Sequence, residues 1–254
     1  NEFAIRHPNA FYLRTRQRGM QNWDGKIKYI TKTGQFKIGL IPSVYKRCIE
    51  LGIKPIIVDM RQPLPKVSKV VTQIGKYKLR PEQEKAVKAI LSNKLGETPF
   101  QIGVLDYTVN AGKTLIMSAL YLSYKKQLKT LLITNDSDWL NQARDEFKQY
   151  LPGEDITFVQ GKVLNWSNFT IGMVQSISRN MKYYQNELAK IDMVLIDEAD
   201  QGGSKQYQNV ITRLFNTRVR IGLSGTIYMS KLAKDKVKNM NLRCFFGDVI
   251  AEFK

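Results

Sequence analysis

From residue 79 onward, short continuous apolar runs alternate with amphipathic stretches. Ile102-Gly103-Val104-Leu105, Thr130-Leu131-Leu132-Ile133-Thr134 and Phe169-Thr170-Ile171-Gly172-Met173-Val174 are three such runs. Met193-Val194-Leu195-Ile196 and Val219-Arg220-Ile221-Gly222-Leu223 are two more. This is the pattern of strands buried on both faces. Between them, apolar residues recur at helical spacing. Pro81 opens a helix carrying Ala86, Val87, Ile90 and Leu91, and Thr114–Gln127 and Trp139–Tyr150 read as two further helices. The alternation predicts an α/β fold with a mainly parallel sheet, and ligands beyond the carboxyl ends of its strands.

Before residue 63 the rhythm differs. Lys26-Ile27-Lys28-Tyr29-Ile30 and Phe36-Lys37-Ile38-Gly39-Leu40 alternate around Thr33-Gly34, which predicts a β-hairpin. Pro42-Ser43 opens a short helix over Val44–Ile49 that Gly52 ends. Pro63, Pro65 and Gly75 then punctuate a basic stretch without helical periodicity. These signals predict a small mixed α/β domain over residues 1–62, a linker over 63–76 and a larger domain over 77–254.

Composition narrows the chemistry. At 254 residues and 43% apolar content, the chain can bury a real core, which excludes intrinsic disorder. Cys48 and Cys244 are the only cysteines and His7 the only histidine. No disulfide framework, Cys/His zinc site or histidine-based nucleophile can be built from so few, and His7 stands near a terminus, where chains fray. No apolar run approaches the ~20 residues that span a bilayer, and no signal-peptide pattern opens the chain, so a cytoplasmic setting is expected. The first residue, Asn1, suggests a processed or cut-down chain.

The net charge is +18, and residues 1–78 hold 16 Lys and Arg against 4 Asp and Glu, a balance of +12. Such asymmetry favours a dedicated polyanion-binding module, with nucleic acid as the commonest partner. A generic basic surface that aids solubility is the alternative. Arg14, Arg16 and Arg18 alternate, so an extended segment would line them along one face, and Lys26 and Lys28 would share a face of the next strand. A stripe of this kind tracks phosphates without reading sequence. Trp23 and Tyr12 can stack on bases, although core packing suits Trp23 better.

Candidate chemistry stands at the ends of the apolar runs. After the first comes Tyr107-Thr108-Val109-Asn110-Ala111-Gly112-Lys113-Thr114, close to the phosphate-loop pattern but with Tyr107 where a Gly or Ala usually stands. Gly112 lets backbone N–H groups close around phosphate oxygens at a helix N-terminus. Lys113 can reach the β- and γ-phosphates, and the Thr114 hydroxyl can ligate Mg²⁺. After Val194-Leu195-Ile196 comes Asp197-Glu198-Ala199-Asp200. Asp197 would hold Mg²⁺, and Glu198 would polarise the attacking water. A third run ends in Leu223-Ser224-Gly225-Thr226, whose hydroxyls can bond the carboxylates. Upstream, Gln83 in Leu79-Arg80-Pro81-Glu82-Gln83 can donate and accept at once, which suits the edge of an adenine ring. Singly, these segments also read as an ordinary loop, a solvated turn or an exposed glutamine.

As an ordered set they resemble the first motor lobe of superfamily 2 helicases. Arg80 and Gln83 resemble the adenine-side motif, Tyr107–Thr114 motif I, Asp197–Asp200 motif II and Leu223–Thr226 motif III. Leu131–Thr134, with Leu140 and Gln142, resembles motif Ia, and Thr170–Ser176, with Gln175, resembles the next DNA-contacting strand end. Tyr107 and Asn135 depart from the family pattern. Arg-Pro-Glu-Gln with Ser-Gly-Thr is closer to DNA-directed members than to DEAD-box RNA helicases. Asn22-Trp23-Asp24-Gly25-Lys26-Ile27, with the hairpin and the helix ending at Gly52, resembles the DNA-binding domain of UvsW-type phage recombination helicases. The resemblance implies ATP and Mg²⁺ as cofactors. ATP contacts would come from Arg80, Gln83, Asn110, Ala111, Gly112, Lys113 and Thr114, catalysis from Lys113, Asp197 and Glu198, and coupling from Ser224 and Thr226. DNA contacts would come from Arg14, Arg16, Arg18, Lys26, Lys28 and Gln175.

The resemblance further implies remodelling of branched DNA in recombination and repair, and a C-terminal RecA-like lobe supplying an arginine finger. A lobe of ~150 residues does not fit after motif III, so the chain reads as an accessory domain plus first lobe. Two other readings stay open: a restriction-type DNA translocase subunit, and a non-enzymatic DNA-binding protein with a degenerate nucleotide fold, for which Tyr107 speaks.

Overall fold

The computed structural model describes residues 3–107, 112–161, 166–227 and 233–253. The N-terminal part opens with β1 (Ala4–Arg6), α1 (Ala10–Arg16) and β2 (Lys26–Lys28), followed by a 3-10 turn (Ile38–Leu40) and α2 (Ile41–Glu50). Two short ribbons flank α3 (Pro81–Ser92). They are β3 (Gln73–Ile74) with β4 (Tyr77–Lys78), and β5 (Lys94–Leu95) with β6 (Thr98–Pro99). The larger part then runs β7 (Ile102–Tyr107), α4 (Lys113–Ser123), β8 (Thr130–Thr134), α5 (Ser137–Tyr150), β9 (Ile156–Val159), β10 (Phe169–Met173), α6 (Val174–Arg179) and α7 (Met181–Leu188). It closes with β11 (Met193–Asp197), a 3-10 turn (Ala199–Gly203), α8 (Lys205–Ile211), β12 (Val219–Ser224), α9 (Ala233–Phe246) and β13 (Val249–Phe253).

Seven strands form one parallel sheet in the order β13-β7-β12-β11-β8-β10-β9. Strand side chains alternate between two apolar clusters. Leu132, Leu195 and Leu223 enter one with α3, α4 and α5 residues, while Leu131, Ile133, Val194 and Ile196 enter the other with residues of α6 to α9. Covering both faces explains why these strands are apolar at nearly every position. Besides Asp106 and Asp197, a charged exception is Arg220. Its buried guanidinium donates to Phe245 O at 3.3 Å and Leu214 O at 3.4 Å, satisfying carbonyls where chain segments end.

Several expectations need correction. Arg14, Arg16 and Arg18 do not alternate along an extended face: the first two lie on α1 and the third in the turn after it. The expected hairpin shrinks to one bridge, Ile30 to Phe36, because β2 pairs with β1 instead and residues 38–40 coil. That pairing also holds the chain around His7, whose backbone N–H donates to Gly25 O at 2.8 Å, so His7 itself is tied down. The second lobe helix stops at Ser123 rather than Gln127. Lys125 and Lys126 turn left-handed, at φ 52° and 61°, which sends Leu128 into the core. Edge strands β9 and β13 escaped the sequence pattern because their half-exposed residues make no continuous apolar run. Asn110 and Ala111 lie outside the described residues.

The small N-terminal part is docked on α9. Leu40 is fully buried in the second cluster, and the Tyr29 hydroxyl donates to Val237 O at 3.4 Å. Gly39 approaches the end of α9 so closely that a Cβ there would stand 2.1 Å from Arg243 O and 2.8 Å from Cys244 O. Farther on, Arg61 pairs with Asp59 and donates to Thr217 O, while Arg218 donates to Gln62 O at 2.9 Å. This strap ties residues 59–62 to the start of β12. Gly39→Ala must push backbone atoms apart, so it should cost about 2–3 kcal/mol. Thermal unfolding should then show a Tm lower by about 4–10 °C, and an unchanged Tm would disprove the close docking.

Candidate nucleotide site

Four segments converge at the C-terminal edge of the sheet. Beyond β7, Gly112 caps α4 in the left-handed region, at φ 70° and ψ 45°. A Cβ at this position would stand 2.3 Å from Gln83 Nε2. Glycine therefore permits both the turn and the approach of the Gln83 amide. Gln83 is buried, and its Oε1 accepts a 2.9 Å hydrogen bond from Arg80 N, so the start of α3 brings both expected residues beside Gly112. A cleft of about 860 Å³ runs along the outer face of α3, lined by Arg80, Pro81, Glu84, Lys85 and Lys88, and neither Gln83 nor Gly112 lines it.

Tyr107 is the departure that needed explaining. Its ring is fully buried, and its hydroxyl donates to Glu82 O at 2.8 Å. It braces the end of β7 against the first turn of α3.

β11 delivers the carboxylates. Asp197 is 3% exposed, and its Oδ1 accepts no hydrogen bond among the described residues. The Lys113 ammonium lies 3.6 Å from that oxygen, an ion pair too long for a hydrogen bond. Burial pushes the Asp197 carboxyl above the ordinary carboxylate range, against the pull of Lys113. Glu198 follows at φ 56° and ψ 48°, a left-handed conformation that costs a non-glycine residue of order 1 kcal/mol. Burial raises its pKa as well, and the charges of Asp197 and Asp200 add to the shift. Thr114 is buried in the first turn of α4. Across the next strand, Ser224 Oγ donates to Asp200 Oδ1 at 2.8 Å and accepts from Thr226 N at 3.2 Å. Motif II and the end of β12 are thus joined.

Two neighbours escaped the sequence reading. The Tyr207 hydroxyl on α8 is buried without a hydrogen-bond partner among the described residues. Burial, and then the charges of Asp197, Glu198 and Asp200, push its pKa well up. Asp136 caps α5 by accepting from Asp138 N at 2.8 Å, and its charge also raises the pKa of Asp197 and Glu198. The cap was visible as Asp before an amphipathic run. Its nearness to the carboxylates depends on β8 lying beside β11.

The remaining expected residues are placed elsewhere. Gln175 Nε2 donates to Asn135 O at 3.3 Å, so this amide bridges the ends of β10 and β8. Arg14, Arg16, Arg18 and Lys26 are exposed on the N-terminal part, and Lys28 pairs with Asp24 at 3.0 Å.

Thr114 and Asp197 offer oxygen ligands suited to a hard cation, and Asp197 Oδ1 is a buried acceptor with no hydrogen donor among the described residues. A carboxyl whose folded pKa lies above its unfolded value binds its proton more tightly in the folded chain. That stability is present at acid pH and is lost as pH rises through the raised pKa. Asp197 therefore costs stability at neutral pH. Asp197→Asn should raise Tm at pH 7 by about 2–4 °C, for a gain of roughly 1 kcal/mol. The gain should shrink as pH falls into the carboxylate range. A Tm that drops at pH 7 would contradict the account.

Comparison with known proteins identifies the family. The family model described as "Type III restriction enzyme, res subunit" matches residues 76–229. The ATP-dependent DNA helicase uvsW of Enterobacteria phage T4 is 24% identical over 249 residues, covering 90% of this chain and 47% of that protein. A protein named for RNA helicase activity, L396 of Acanthamoeba polyphaga mimivirus, is 26% identical over 147 residues, covering 58% of this chain and 27% of its own length. The chain thus spans less than half the length of either curated relative. The crystal structure of the UvsW helicase from bacteriophage T4 superposes with a TM-score of 0.72 at 20% identity, over 98% of this chain and 90% of that one. With residues 76–229 matched, the chain belongs to the ResIII family of superfamily 2 helicases.

Proposed function

We propose that residues 77–254 are the first RecA-like lobe of an ATP-dependent DNA helicase, binding ATP and Mg²⁺, and that residues 1–62 form its DNA-binding domain. The observation that carries this reading is the meeting of Lys113, Asp197, Glu198 and Gln83 around one helix N-terminus. Lys113 and the first N–H groups of α4 bind phosphate oxygens, and Gln83, which lies against Gly112, meets the edge of adenine. Thr114 and Asp197 would hold Mg²⁺, which supplies charge neutralisation at the phosphates. Glu198 orients the attacking water and accepts its proton, a role helped by a carboxyl pKa raised toward neutrality. Ser224 and Thr226 transmit the state of Asp200 to β12. The relatives are roughly twice the length of this chain or longer, which accords with an opposing lobe that brings an arginine finger.

The likeness to the phage DNA helicase extends over the basic N-terminal part, which supports action on DNA, duplex or branched, in recombination or repair. Gln175 would contact the strand from the edge of the sheet. The family description keeps a restriction-type translocase as a second reading, because that motor shares the same lobe. A non-enzymatic fold loses its support at Tyr107, which acts as a brace.

Nucleotide binding tests the proposal. Titrating a fluorescent ATP analogue with Mg²⁺ should give saturable binding that Lys113→Ala weakens at least about tenfold, the loss of one charge-assisted phosphate contact. Equal affinity of both proteins would refute the assigned site.

A further inference from the structure

α1 carries an arrangement that phosphate tracking does not need. Ala10 is buried against Gly25 and Leu13 is half-buried, so these two fix the inward face of the helix. At 100° per residue, the outermost ridge then falls near Thr15, between Phe11 and Tyr12. Phe11 is 80% exposed and Tyr12 56% exposed. Thr15 keeps the ridge low, because its hydroxyl folds back to donate to Phe11 O at 3.1 Å and Tyr12 O at 3.0 Å. Arginines stand on both flanks of this crest. Arg14 lies on the Phe11 side, while the Arg16 guanidinium sits 5.5 Å over the Tyr12 ring on the other. Arg18 follows in the turn after the helix. Among the described residues no carboxylate pairs with these three arginines.

Two exposed rings crossing a polar surface leave apolar area in water, which needs a partner with a flat face. Arginines on two sides match two phosphate backbones rather than one. In a continuous duplex the base faces are covered by neighbouring pairs. A face is open only where the stack stops, at a branch or an unpaired base. We infer that Phe11 and Tyr12 stack on the last base pair or first unpaired base at a DNA branch point, while Arg14 and Arg16 hold the two diverging backbones. This rests on the reading of residues 1–62 as DNA-binding. It makes the crest the feature that distinguishes a branch from a plain duplex.

The test compares fluorescence anisotropy of the whole chain on a forked DNA and on a hairpin-closed duplex of equal length. The chain should bind the fork at least about fivefold tighter. Phe11→Ala and Tyr12→Ala should each lower fork affinity by about fivefold or more, as expected for losing one base stack. Duplex affinity should stay within about twofold, with an unchanged salt slope, since no phosphate contact is lost. Phe11→Trp should keep the fork preference. Arg14→Ala with Arg16→Ala should instead weaken both DNAs and flatten the slope. A 2-aminopurine at the fork should be quenched by the native chain and not by Phe11→Ala. Equal binding of both DNAs by the native chain, or equal losses on both from Phe11→Ala, would overturn the crest and leave DNA binding standing. No binding to either DNA would overturn the DNA reading itself. A Tm of Phe11→Ala equal to the native value separates these effects from misfolding.

Discussion

A carboxylate kept nearly dry, 3.6 Å from a lysine and short of a hydrogen bond, is the constraint on which the site depends. Holding Asp197 there costs desolvation, and neighbouring acids increase that cost. The charge of Asp136 acts on Asp197, and those of Asp197, Asp200 and Asp136 act on Glu198. Only a rigid frame tolerates such crowding. The frame is the parallel sheet, whose buried strands β7, β8, β11 and β12 end at the same edge. Tyr107 stiffens it by tying β7 to α3, and Ser224 by tying β12 to Asp200. The stability given up at this edge is the usual companion of a site prepared for a cation and a phosphate.

The same frame connects the site with the N-terminal part. Phe246 of α9 packs so closely on the turn after motif II that a Cβ on Gly202 would meet its ring at 2.2 Å, and it also lies against Gly222 of β12. The end of that helix is where Gly39 is seated. The basic part therefore rests on the helix that supports both motif II and the strand leading to motif III. A shift in the carboxylate turn has a continuous packed route to the surface proposed to hold DNA.

Legibility in the sequence tracked burial. Strands covered on both faces, such as Leu131–Ile133 and Val194–Ile196, write their position directly as apolar runs. The edge strands β9 and β13 do not, because they are only partly buried. The residues at strand ends, Lys113, Thr114, Asp197, Glu198 and Ser224, could be named from spacing, since their chemistry needs adjacent positions. Asp136 and Tyr207 could not, because sheet order and helix packing bring them to the carboxylates from distant positions. The three arginines misled for a related reason. Alternating charges would share one face of a strand but fall on opposite flanks of a helix, and the choice was made by Ala10 packing on Gly25.

Hydrogen exchange of the whole chain, with and without Mg²⁺ and ATP, tests the central claim most directly. ATP is predicted to slow exchange in peptides covering Gly112–Ser118 and Leu195–Asp200, where the helix N-terminus and the carboxylate turn would be covered. DNA is predicted to slow exchange over Ala10–Lys28 instead. Protection by ATP confined to other segments, or absent at saturating nucleotide, would contradict the account.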